Sequence, residues 1–164
     1  MYNCIRPNEN GLYIVGQDNC YGVIRLKGNR ITACKYNKIY PFKFGYARIK
    51  YKSGRYNFIN EQGKEITYQG FDFAEDFVGG MAAVKRNNKL GFIDTSGNIS
   101  VSLIYDTVKE FDETGYAPVC INSLWTLIDK NGKEILPCIY EHIGPVQNDI
   151  VHVVYKGNIG IVKL

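Results

Sequence analysis

Leu90-Gly91-Phe92-Ile93-Asp94-Thr95-Ser96-Gly97-Asn98 decides the fold. It reads as an apolar and aromatic strand, a polar turn closed by glycine, and the start of a further strand. Related stretches are Tyr21-Gly22-Val23-Ile24 before Gly28, Tyr56-Asn57-Phe58-Ile59 before Gly63, and Trp125-Thr126-Leu127-Ile128-Asp129 before Gly132. A shortened copy, Ile159-Gly160-Ile161-Val162, ends the sequence. The turn glycines Gly28, Gly63, Gly97 and Gly132 are therefore 35, 34 and 35 residues apart. A period of that length running through the chain marks a repeat protein.

Other landmarks keep the same period. An aromatic residue with a polar or acidic neighbour recurs as Tyr2-Asn3, Tyr36-Asn37, Phe71-Asp72, Tyr105-Asp106 and Tyr140-Glu141. An apolar anchor follows at Phe42, Phe77, Phe111 and Val146, with Asn8 in that place in the first unit. Next comes a glycine-led strand: Gly11 to Val15, Gly45 to Ile49, Gly80 to Val84 and Gly115 to Val119. Arg48, Lys50 and Lys52 alternate with Ile49 and Tyr51, the period-two pattern of a half-buried strand. The loops Asn60 to Gly63, Asp94 to Gly97 and Asp129 to Gly132 open on an Asx residue and end on glycine, which predicts a type I turn with glycine at positive φ. No convincing helix is found, and only the segments 71–77 and 105–111 leave room for one helical turn each.

These landmarks predict an all-β chain of about five tandem three-stranded antiparallel meanders, over 2–35, 36–70, 71–104, 105–139 and 140–164, in one domain spanning 1–164. A single meander cannot bury its apolar face, and stacking on neighbours buries it. A curved open solenoid is the first expectation, because the last unit lacks its third strand. A closed five-bladed propeller-like ring is the alternative.

The landmarks resemble the bacterial WG-repeat family, also called KWG repeats. The best-matching segment carries Leu90-Gly91-Phe92-Ile93-Asp94, Gly97, Tyr105-Asp106 and Phe111, followed by Trp125, Ile128 to Lys133 and Ile135-Leu136-Pro137. Only Trp125 keeps the signature tryptophan, and Thr126 follows it; elsewhere the pair is Tyr21-Gly22, Tyr56-Asn57, Leu90-Gly91 and Ile159-Gly160. The resemblance implies a β repeat used for binding or scaffolding, and no catalytic residues.

The totals narrow the function classes. A net charge of +4 over 164 residues is mild, and the basic residues are interleaved with acidic ones, unlike a dedicated nucleic-acid binder. No apolar run is long enough to span a membrane. The five cysteines lack metal-ligand spacing and, with no secretory leader in view, read as reduced thiols in a cytoplasmic protein. His142 and His152 have no Cys or carboxylate at ligand spacing, so no metal or other cofactor is expected. The recurring Asp72, Asp106 and Glu141 read as turn-bonding residues rather than a catalytic pair.

Tyr36, Phe71, Tyr105, Tyr140 and Trp125, with the four turn glycines, are assigned to structure. Binding residues are sought among Tyr13, Tyr46 and Tyr116, which follow strand-initial glycines, and among Arg48, Lys50, Arg55 and Arg86 near the basic turns. The expected function is a non-enzymatic module for a protein partner. Carbohydrate or cell-envelope binding on a Tyr ladder is the second reading, and weak nucleic-acid binding through the basic turns is the third. Free strand edges also make self-pairing conceivable, so the oligomeric state stays open.

Overall fold

The computed structural model describes residues 1–164 and is built of β-strands, turns and short 3-10 segments. Contacts divide it into two compact units, Met1–Phe77 and Val78–Leu164.

In the first unit, β1 (Cys4–Pro7), β2 (Leu12–Gln17), β3 (Cys20–Arg25) and β4 (Arg30–Tyr36) form a linear antiparallel sheet in chain order. β5 (Lys38–Ile39), β6 (Tyr46–Lys50) and β7 (Tyr56–Asn60) form the next sheet, and β8 (Phe73–Ala74) follows. Residues 65–71 return alongside β7 only through the bridges Ile59 to Glu65 and Tyr56 to Phe71.

In the second unit, β9 (Met81–Arg86), β10 (Lys89–Asp94) and β11 (Ile99–Tyr105) run as an antiparallel meander. β12 (Thr107–Val108), β13 (Tyr116–Ile121) and β14 (Leu124–Asp129) form another sheet, and β15 (His142–Gln147), β16 (Ile150–Tyr155) and β17 (Asn158–Lys163) the last. No sheet closes on itself.

Two expectations need correction. The helical turns for which 71–77 and 105–111 leave room do not form; both segments are extended. Each repeat also gains a strand ahead of the glycine-led one (β1, β5, β8, β12 and β15), and the third strands expected at 65–68 and 134–137 do not form. After Tyr36 and Tyr105 the backbone joins the ladder of the following strand, with Asn37 N–H on Lys50 O, Tyr40 N–H on Arg48 O, Asp106 N–H on Cys120 O and Lys109 N–H on Pro118 O. Cross-strand bonding satisfies these amides better than a single isolated turn, whose nucleation is costly.

The turns follow the sequence closely. Asn60 Oδ1 accepts from the Gln62 and Lys64 amides, Asp94 Oδ1 from Ser96 and Asn98, and Asp129 Oδ1 from Asn131 and Lys133. The closing glycines 63, 97 and 132 lie at φ 77°, 86° and 79°. Between the paired long strands, two-residue turns put both central residues at positive φ, as in Asp18-Asn19, Asn87-Asn88 and Asn122-Ser123. That is the type I′ geometry that matches strand twist.

The core lies between successive sheets. Leu12, Ile14 and Val23 of the first sheet pack with Ile39, Ala47, Ile49 and Ile59 of the second, and Tyr36 and Phe42 complete the cluster. In the second unit, Phe92, Val101 and Tyr105 pack with Phe111, Ala117, Val119 and Ile128. Leu127 and Leu136 pack with Ile143, Val146, Val151 and Val153. Burying each large apolar side chain contributes about 1.5–3 kcal/mol, so one sheet's inner face is stabilised chiefly by its neighbour. The landmark residues Tyr36, Phe71 and Tyr105 and the anchors Phe42, Phe77 and Phe111 are all buried. Tyr140 is half-buried and packs edge-on against Tyr155.

The signature glycines Gly22 and Gly91 have a steric cause. A Cβ on Gly91 would lie 2.5 Å from Val101 O, and one on Gly22 would lie 2.8 Å from Ala33 O. The returning strands β4 and β11 press on the backbone at these points, where their registers with β3 and β10 shift. Where Asn57 and Thr126 replace the glycine, no continuous returning strand forms. Side chains reach across instead: Asn57 Nδ2 donates to Thr67 O at 2.8 Å, and Thr126 Oγ1 donates to Leu136 O.

Candidate binding surface

The alternation read from Arg48 and Lys50 places both on one face of the β5–β6–β7 sheet. The register pairs Lys38 with Lys50 and Lys50 with Tyr56, while Arg48 lies opposite Phe58. Because side chains alternate between faces, Lys38, Tyr40, Arg48, Lys50 and Tyr56 share a face with Tyr46 and the fully buried Phe58, both packed on Phe77, while Ile39, Ala47 and Ile49 share the other face.

The cations rest on tyrosine rings. Arg48 lies 4.0 Å from the Tyr40 ring centre and Lys38 4.3 Å from the same ring. Lys50 lies 5.0 Å from the Tyr56 ring, whose other neighbour is Phe73, edge-on at 6.3 Å. Burial opposes ionisation of the Tyr56 phenol, but hydrogen bonds from Lys50 and Tyr40, with the nearby charges of Lys50 and Arg48, outweigh it and hold the phenol below its usual value.

Charge matching separates these cations into two kinds. Arg48 Nε meets Asp76 Oδ1 at 3.1 Å, and its guanidinium also donates to Ala74 O. Arg55 meets Asp72 at 3.0 Å and donates to Gly70 O. Lys38 and Lys50 have no carboxylate within salt-bridge distance, so their positive charge is presented outward. Arg48 and Arg55 thus brace the site, whereas Lys38 is exposed and Lys50 and Tyr56 are half-buried beside it. Lys38, Tyr40 and Tyr56 are not among the binding residues the sequence suggests. The signal that finds them is strand register, which requires pairing β5 with β6.

The remaining candidates do not join this group. Tyr13 is half-buried on β2. Tyr46 is half-buried, with its ring 4.9 Å from Phe77. Tyr116 is half-buried against the cluster of Leu127 and Ile143. None of the three is an open stacking platform. Arg86, on β9 of the second unit, lines a shallow recess of about 290 Å³ with Lys89 and Ile99.

No three His, Cys, Asp or Glu side chains converge as a metal-ligand set. Burial raises the thiols of Cys34, Cys120 and Cys138, the direction opposite to that of an activated nucleophile. No helix is long and apolar enough to cross a membrane.

The family model described as WG containing repeat matches residues 21–56, 58–89, 91–125 and 125–158. No curated protein sequence matches the chain. Among solved structures, the chain is similar to Kluyveromyces lactis Hsv2, with 12% identity, a TM-score of 0.49, and coverage of 97% of this chain and 59% of that one. It is also similar to the WD40 beta propeller domain of Doa1, with 12% identity, a TM-score of 0.37, and coverage of 100% and 69%. A third is the extracellular domain of the putative hybrid two component system BT3049 from B. thetaiotaomicron, with 8% identity, a TM-score of 0.40, and coverage of 98% and 26%. The chain spans less than two thirds of the length of the Hsv2 structure.

Proposed function

Since the chain belongs to the family of WG-containing repeats, we propose that it is a non-enzymatic bacterial binding module whose second repeat docks an acidic surface of a protein partner. The observation that carries this reading is the pair of unmatched ammonium groups, Lys38 and Lys50, seated on Tyr40 and Tyr56. Tyrosine and cation side chains held in place by a sheet lose little conformational freedom on binding, which is the chemistry of interface hot spots.

The charge pattern favours protein over nucleic acid. Phosphate-tracking surfaces present rows of uncompensated cations. Here Arg55 is matched by Asp72 and Lys89 by Asp106, so carboxylates interrupt the cations of the basic turns. The burial-raised thiols of Cys34, Cys120 and Cys138 argue against cysteine-based catalysis.

The test is affinity capture from native lysate at moderate salt, with Lys50→Glu/Tyr56→Ala alongside the wild type. A protein retained in defined stoichiometry by the wild type and lost by the variant supports the reading. Equal retention by both, or recovery of nucleic acid alone that salt releases, refutes it.

A further inference from the structure

We propose a second site in the first unit: a recess beside Phe44 that binds a neutral saccharide. The turns linking β1 to β2, β5 to β6, and β7 to the segment after it line an open recess of about 580 Å³, within the size range of small-molecule sites. Phe44 stands at its edge with 78% of its surface exposed.

The backbone at Phe44 is the unusual feature. Lys43 and Tyr46 exchange hydrogen bonds of 2.9 and 3.0 Å around Phe44-Gly45, and those two residues have φ of 52° and 84°. Such a turn prefers Asn-Gly or Gly-Gly, because a bulky side chain is strained at positive φ. The repeat position 35 residues on is Gly79, at φ 57°. The other non-glycine residues at positive φ in this chain are Asn, Asp, Ser or Lys. Phe44 therefore holds an exposed ring in a seat where glycine folds more easily. Strain of this kind, kept at the rim of a recess, points to binding.

The lining defines the ligand class. Asn10, Asn60 and Gln62 contribute carboxamides and Glu61 a carboxylate. Asn10 Nδ2 donates to Glu61 Oε1 at 2.6 Å, which fixes the Glu61 carboxylate. Amide and carboxylate groups at adjoining positions suit vicinal hydroxyls, which both donate and accept. An aromatic face suits the C–H side of a pyranose ring. An anionic ligand is disfavoured, since Glu9 and Glu61 face the recess and the Lys43 ammonium is tied to Asp76 at 3.0 Å.

The experiment is an amide-resolved NMR titration of the full chain with maltotriose, cellotriose and chitotriose, for the wild type, Phe44→Gly and Gln62→Ala. At least one sugar should shift the amides of residues 44, 61 and 62. Phe44→Gly should weaken that binding about tenfold, without lowering the urea midpoint, because the substitution relieves the strained turn. Gln62→Ala, at an exposed turn position, should weaken it without unfolding. The proposal is overturned if no sugar shifts these amides, if Phe44→Gly binds as the wild type does, or if a tetra-arginine peptide shifts them while the sugars do not.

Discussion

The Tyr36 hydroxyl donates a 2.9 Å hydrogen bond to the Glu65 carboxylate, joining the end of β4 in the first sheet to the segment that follows β7 of the second. Tyr51 donates to the other carboxylate oxygen at 2.6 Å, and Lys35 adds an ammonium at 2.8 Å. Burial and the hydrogen bond to Glu65 raise both phenols, Tyr51 to about 12. A fainter form of the relationship recurs in the second unit, where burial and then the charge of Glu134 raise Tyr105. The aromatic landmark thus fills a core slot and also ties neighbouring sheets at one polar point.

Glu65 makes stability depend on pH in a definite direction. Burial alone would raise its carboxyl, but the bonds from Lys35, Tyr51 and Tyr36 outweigh it and leave it below the ordinary value of 4.5. A depressed folded pKa stabilises above the unfolded value, and the contribution fades as pH falls toward the folded one. Acidification below 4.5 should therefore lower the urea midpoint of the wild type, and Glu65→Gln should flatten that loss while costing about 1–3 kcal/mol at neutral pH. Tyr51 acts in the opposite sense, its contribution being lost as pH rises from 10 toward about 12. An unchanged acid slope in Glu65→Gln would assign the slope to other carboxylates.

The signature glycine Gly91 should tolerate less than the turn glycine Gly28. Gly91→Ala drives a Cβ to 2.5 Å from Val101 O and 2.6 Å from Ser102 O, both backbone atoms of β11. The expected cost is about 2–4 kcal/mol. Gly28→Ala meets nothing within 4 Å and pays only for its φ of +80°, about 1–2 kcal/mol. Urea unfolding of both variants checks the order, and equal losses would mean that the returning strand yields.

Asn57 should resist replacement by the glycine that the family pattern carries there. Its side chain is buried, bonds Thr67 O at 2.8 Å and accepts from Thr67 Oγ1 at 2.8 Å. Removing it strands a carbonyl where no returning strand supplies a ladder partner. Asn57→Gly and Asn57→Ala should each cost about 2 kcal/mol and speed exchange of the Thr67 amide, which Asn57 Oδ1 also binds. A stabilised Asn57→Gly would show that the local backbone can close onto β7 as it does at Gly91.

Much of this architecture is legible in the sequence, because the turn chemistry is local. Asn60, Asp94 and Asp129 bond amides two and four residues on, so their spacing from glycine reports the turn directly. The buried landmarks are legible through their period. The short strands β5 and β12 are not, since two residues cannot show an alternation. Nor is the cation–tyrosine face: Arg48 and Lys50 are visible on β6, but Lys38 and Tyr56 join them only through cross-strand register. The strain at Phe44 becomes visible when the repeats are aligned and Gly79 falls at the same place.

Arg48 and Asp76 should behave as one coupled unit. The pair is 3.1 Å apart, with side chains only 17% and 23% exposed, and the guanidinium also holds Ala74 O and the Tyr40 ring. Two charges this shielded are costly to bury singly, so losing one partner leaves the other poorly compensated. Asp76→Ala should cost about 2–3 kcal/mol, since it also releases Lys43, which meets the same carboxylate at 3.0 Å. Arg48→Met keeps part of the packing over Tyr40 and should cost less. The double variant should be more stable than the sum of the two losses predicts, by about 1 kcal/mol or more. A double-mutant cycle from urea midpoints measures this coupling. Strict additivity would mean that Arg48 is held by Ala74 O and Tyr40 alone, and that Asp76 contributes nothing to the bracing of the cation–tyrosine face.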